Sequence, residues 1–266
     1  MTTRSPHPGP DAGVHPVAAV QLRGRAGPLA TRVHWPPRPA HTPRPALLVF
    51  LPGAGAGVAA EALDAADALC GALCRHAGVV VLAVGGRPAS AGVGAPALED
   101  GITATAWAGD HAGELGADPR RLVVAGEALG AGVAAAVALH ARDVGWPVLT
   151  RQLLIRPDMG AALAPGPADP DPLPLKERLL AGVAPATVLV AGDDSLRADD
   201  GRRYAALLRR AGVEVEELRD GGEPHADGAP PGGRWTERML GDVARSLGRS
   251  LDAPPTGRAP HGEVPA

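Results

Sequence analysis

The five residues Gly126-Glu-Ala-Leu-Gly130 have the frame of G-x-S-x-G. In that frame a strand passes straight into a helix and lifts the central residue into a cleft. Glycines at both ends permit the sharp turn, and the amide after the centre is left to face whatever binds there. The central residue here is Ala128, which has no nucleophilic or acid–base atom. The frame thus predicts a place for covalent chemistry without the atom that performs it. Glu127 is next to the centre, but its side chain is expected to point away from it, as successive strand residues do. Ser195 offers a hydroxyl elsewhere, beside Asp194, and is not expected to reach the same spot.

Other chemistry-bearing groups reduce to background. Pro52-Gly-Ala-Gly-Ala-Gly57 is a Gly-rich turn after a strand, but no G-K-S/T follows, so it is not a phosphate cradle. Asp193, Asp194, Asp199 and Asp200 fit no metal-loop spacing and read as a loop followed by a helix start. Asp110-His111 reads as solvated helix surface. Cys70 and Cys74 lie four apart on an expected helix, which is poor disulfide geometry. Without nearby histidines they make no zinc site, and they read as small buried apolar side chains. Nothing here calls for a cofactor or a metal.

The elements around these residues alternate. Val14–Leu22 and Thr31–Trp35 read as opening strands. Strand runs follow at Ala46–Leu51, Val79–Val84, within Ala117–Gly126 (a turn running into a strand), and at Gln152–Ile155, Thr187–Ala191 and Val213–Leu218. Helical patterns separate or follow them at Val58–His76, Leu98–Leu115, Leu129–Ala141, Asp199–Ala211 and Trp235–Leu251. Strands alternating with helices predict an α/β fold: a mostly parallel sheet with helices on both faces. Ligands of such sheets bind at the carboxyl ends of the strands, where the elbow falls.

At 266 residues the chain suits one large domain, expected over 13–251. Residues 1–12 and 252–266 are Pro-, Gly- and polar-rich and read as disordered ends. Aromatic residues are 2% of the chain, so the core must be built from Ala, Val and Leu. A net charge of −3 with no basic stripe argues against a nucleic-acid partner. No apolar run has membrane-spanning or signal-peptide character, so a soluble cytoplasmic protein is expected. Oligomeric state is left open.

Several ordered blocks carry a family resemblance. They are Ala97-Leu-Glu-Asp-Gly-Ile-Thr-Ala-Thr-Ala-Trp107, Glu114 through Gly126, Ala134 through His140, and Gln152-Leu-Leu-Ile-Arg-Pro157. Downstream come Asp194-Ser-Leu-Arg197 and Tyr204 through Val213. This order resembles the hormone-sensitive-lipase-like esterases of the α/β-hydrolase fold, over about residues 46–226. That family has a D-P-x-R-I/L-x-V-x-G-D-S-A-G-G run at the elbow, and the fold orders its triad as Ser, then acid, then His. The resemblance places the nucleophile position at Ala128, the acid at Asp194 and the base at His225. The flanks of His225 (Glu223, Pro224 and Asp227) depart from the family pattern.

The family's H-G-G-G loop maps to Pro52-Gly-Ala-Gly55. The resemblance therefore implies oxyanion-hole amides at Gly53, Ala54 and Leu129. The family's cap is expected to be reduced or absent, since only Asp158 to Leu180 is available for an insertion. Three functions follow as alternatives. One is a silent esterase homologue that binds a partner or a ligand, such as a small carbonyl-containing molecule, or that retains no role. Another is a general-base enzyme using the Asp194–His225 pair without a covalent intermediate. The third is a weak ester hydrolase with an atypical nucleophile.

Overall fold

The computed structural model describes residues 16–25, 27–37, 43–53, 59–87, 95–159, 180–190, 196–219 and 236–252. Asp194, Ser195, His225, Ala54 and most of the expected insertion lie outside these residues, as do residues 1–12 and 253–266 of the expected disordered ends, whereas Asp252 closes the last described helix.

Eight strands form one sheet. They are β1 (Val17–Gly24), β2 (Gly27–His34), β3 (Leu47–Leu51), β4 (Val80–Gly85), β5 (Leu122–Glu127), β6 (Arg151–Ile155), β7 (Ala186–Val190) and β8 (Val215–Arg219). Their spatial order is β1-β2-β4-β3-β5-β6-β7-β8. β1 pairs antiparallel with β2, and β2 antiparallel with β4. All other pairs are parallel. This is the α/β-hydrolase fold expected from the sequence.

Among the described residues, five helices cover the sheet: α1 (Ala59–Ala77), α2 (Ala95–His111), α3 (Leu129–Val144), α4 (Leu196–Arg210) and α5 (Glu237–Asp252). Helices α1 and α5 pack on one face, and α2, α3 and α4 on the other. The strand side chains divide accordingly. Leu47, Val49, Val80, Leu82, Leu122 and Val124 face α2 and α3, whereas Leu48, Phe50, Val81, Ala83, Val123 and Ala125 face α1 and α5. Burial on both faces is why these strands read as continuous apolar runs rather than as alternation. Each buried Leu or Val stabilises the fold by about 1.5–3 kcal/mol. With so few aromatic rings, close helix approach depends on alanine, and α3 buries Ala131, Ala134, Ala135, Ala138 and Ala141. The helix stops at Gly145, whose left-handed backbone (φ 77°) donates to the Ala141 carbonyl at 2.8 Å.

The opening strands differ from the sequence reading. β1 runs two residues past Leu22 and β2 begins four before Thr31, making a hairpin that closes at Gly24 opposite Gly27. Pro28 pairs opposite Arg23 at the hairpin's end. Proline is tolerated there because the strand has only just begun. Cys70 and Cys74 are free and buried, as expected. Burial pushes the Cys70 thiol up, and that of Cys74 up to about 12, so neither is a reactive thiolate. No helix among the described residues is long and apolar enough to cross a membrane.

Candidate active site

The carboxyl end of β5 turns into α3 with no intervening loop. Ala128 makes the turn at φ 48°, ψ −119°, one of two non-glycine residues with positive φ among those described. L side chains rarely adopt such a backbone, at a cost of about 1–3 kcal/mol. The strand–turn–helix shape expected of Gly126–Gly130 is therefore present, with a methyl group at its centre.

Three glycines make the shape possible. A Cβ on Gly126 would meet the Gly130 carbonyl oxygen at 2.2 Å. On Gly130 it would meet the Leu51 carbonyl oxygen at 2.1 Å. On Gly53 it would meet the Glu127 carbonyl oxygen at 2.3 Å and the Ala128 Cβ at 3.0 Å. The segment leaving β3 thus crosses directly over the elbow, in keeping with the pairing of Leu51 beside Gly126. Gly53 and Leu129, two of the expected amide donors, flank Ala128, and all three are partly exposed. Ala128 gives α3 no side-chain cap. The first amides of a helix have no intrahelical acceptor and favour negative charge. An oxygen bearing negative charge is what such a corner can receive.

Backbone bonds tie the elbow to β6. The Ala128 amide donates to the Ile155 carbonyl at 2.9 Å, and the Asp158 amide to the Ala128 carbonyl at 3.2 Å. Arg156 stands between these partners and is the second non-glycine residue with positive φ, at 44°.

Beneath the turn, an Arg156 guanidinium nitrogen is 3.8 Å from Glu127 Oε1. Another Arg156 nitrogen is 3.8 Å from the sulfur of Met239, at the start of α5. Burial raises the Glu127 carboxyl above its ordinary value, and the Arg156 charge only partly offsets this. Glu127 therefore points toward the α1 and α5 face, away from the elbow centre, as expected. Arg156 is the residue that sequence reasoning missed. The available signal was a charged side chain directly after the buried run Gln152–Ile155.

The parallel pairing of β5 through β8 brings their carboxyl ends to one edge of the sheet. In the chain, Asp194 follows β7 and His225 follows β8. Of the acidic run, Asp199 pairs with Arg202 at 3.3 Å and Asp200 accepts from the Met159 amide at 3.1 Å. Among the described residues, no cluster of three or more His, Cys, Asp or Glu could hold a metal ion. Asp110 is exposed as expected, but His111 is half-buried, stacked on Trp107 with ring centroids 4.5 Å apart.

Comparison with known proteins gives one consistent picture. A family model described as alpha/beta hydrolase fold matches residues 53–169 and 161–227. Esterase LipI of Mycobacterium tuberculosis is 36% identical over 241 residues, covering 78% of this chain and 74% of LipI. Carboxylesterase NlhH of the same organism is 34% identical over 220 residues, covering 71% of this chain and 67% of its own. Among solved structures, a thermostable esterase from Pseudomonas putida has a TM-score of 0.70 at 25% identity, covering 89% of this chain and 82% of its own. The hyperthermophilic esterase of Pyrobaculum calidifontis has a TM-score of 0.71 at 26% identity, covering 90% and 87%.

Proposed function

The chain belongs to the α/β-hydrolase fold family, among its esterase/lipase-like members; from that premise we propose that its elbow performs no covalent ester hydrolysis and keeps the cleft as a binding site for a small carbonyl-containing ligand. The observation that carries this reading is Ala128 at φ 48°, ψ −119°, a strained elbow whose centre ends in a methyl group. Ester hydrolysis by this route needs a hydroxyl whose proton a histidine removes, so that the oxygen can attack the carbonyl carbon. Alanine deletes the attacking atom. Loss of a triad serine costs on the order of a million-fold in turnover. At about 1.4 kcal/mol per tenfold, that is roughly 8 kcal/mol of barrier.

The Gly53 and Leu129 amides remain beside the turn, which supports retention of a ligand oxygen there. Glu127 lies toward Arg156, which supports leaving it out of the chemistry. Asp194 and His225 hold the acid and base roles in this reading by their place in the chain.

The test compares the parent with Ala128→Ser on short p-nitrophenyl esters and on a fluorophosphonate probe. The parent is expected to show turnover about a million-fold below an ordinary esterase and no labelling. The Ala128→Ser variant is expected to hydrolyse the esters and to label. Ordinary esterase turnover by the parent, or its covalent labelling, would overturn the reading. A His-dependent parent activity that is not labelled, with a pH–rate profile set by a base near neutrality, would instead identify non-covalent general-base chemistry.

A further inference from the structure

The two strained non-glycine turns of the described chain are neighbours. Ala128 and Arg156 end adjacent strands and share the Ala128-to-Ile155 hydrogen bond. Glu127 and Arg156, the residues whose side chains meet below them, are both charged and largely buried. Such a pair is an unusual choice for stability. Desolvating two charges is expensive, and apolar residues of similar volume often stabilise a fold as well or better. What a buried pair can supply is a preference for one local arrangement over others, since drawing the two charges apart in the interior is expensive.

We propose that Glu127 and Arg156 are positioning residues, a buried clasp that holds the elbow and the turn after β6 in their positive-φ conformations and so keeps Gly53 and Leu129 in place beside Ala128. Sliding or relaxing either turn would separate the two charges. The glycine contacts allow the elbow shape, and the clasp selects it. This inference concerns the backbone under the site, and it stands whether or not any catalysis survives.

Amide hydrogen exchange on the full chain tests it. The reporters are the amides of Ala128, Ala131 and Asp158, all hydrogen-bonded within the clasped region. The amides of Val80 and Leu47 at the other end of the sheet are the controls. Glu127→Gln and Arg156→Gln each remove one charge and keep a side chain of similar reach, and glutamine at 156 faces the same positive-φ requirement. Each is expected to speed exchange at the three reporters at least about tenfold beyond any change at the controls, which report the global loss of stability. The double variant E127Q/R156Q removes both buried charges, so its thermal midpoint is expected to lie above that of Arg156→Gln, in which the Glu127 carboxylate has lost its charged partner. Elbow protection should nevertheless stay low in it.

Parent-like exchange at the elbow in both single variants would overturn the proposal. So would exchange that rises equally at reporters and controls, which is what a merely structural role predicts. Restored elbow protection in the double variant would also overturn it, by showing that charge imbalance and not the clasp was responsible. If Arg156→Gln does not fold, the nearly isosteric Glu127→Gln carries the same reading.

Discussion

At Ala128 a small side chain occupies one of the least favourable backbone conformations among the described residues. In a working esterase the strain at this position is offset by function, because it exposes the nucleophile. Here it supports no hydroxyl, and relieving it is expected to improve stability. Ala128→Gly removes the Cβ that makes φ 48° costly, against the greater freedom glycine gives the unfolded chain. The expected net effect is a stabilisation of about 1 kcal/mol, read as a rise of about 2–4 °C in the thermal midpoint. A fall in the midpoint would mean that the Ala128 methyl makes packing contacts worth more than the strain. Ala128 itself was legible in the sequence, because two glycines and the strand–helix pattern fix its place in the frame. The partnership of Glu127 with Arg156 was not. The two residues are far apart in the chain, and only the parallel pairing of β5 with β6 sets them side by side.

Among elements, the decisive contacts are backbone against backbone. Gly130 is the first buried residue of α3, and its α-carbon lies against the carbonyls that end β3. A methyl at this position would sit 2.1 Å from the Leu51 oxygen and 2.7 Å from that of Pro52, neither of which is a flexible side-chain end. Gly130→Ala is expected to cost about 3 kcal/mol or more, since helix and strand must separate to admit the group. Guanidinium unfolding compared with Gly248→Ala, where nothing lies within 4 Å, provides the check. Equal stability of the two variants would mean that α3 shifts without penalty.

The same scale explains what the sequence reading of elements captured. Runs such as Leu47–Leu51 and Ala186–Val190 are buried on both faces and apolar but for Thr187, so their existence was plain. Their ends were less so, because at Gly24 and Gly27 hairpin pairing overrides local breaker signals.

Across the whole molecule, a polar network holds the far side of the sheet to the last helix. Thr187 Oγ1 is 2.8 Å from Ser246 Oγ and accepts from Arg151 at 3.0 Å. Ser246 donates to Glu216 at 2.8 Å, and Arg151 reaches Glu214 at 2.7 Å. Strands β6, β7 and β8 and helix α5 are thus linked through side chains, of which Arg151, Thr187 and Ser246 are buried. Replacing the hub by an apolar isostere, Thr187→Val, strips one partner from Arg151 and one from Ser246. It is expected to cost about 1–3 kcal/mol, measured by denaturant unfolding, because buried polar groups lose an acceptor or donor with no water to replace it. An unchanged midpoint would mean that the network re-forms without its centre.

The sequence by itself determined the order of strands and helices, the alanine-rich core, the elbow frame and the absence of a hydroxyl at its centre. Those features are local, written in the period of apolar residues and in glycines at fixed spacing. The tertiary structure alone decided that β4 and β5 flank β3, that Gly53 crosses over Ala128, and that a buried arginine lies under the turn. These are contacts between residues distant in the chain. Their energies come from burying surfaces and charges together, and no single stretch of sequence records which surfaces will meet.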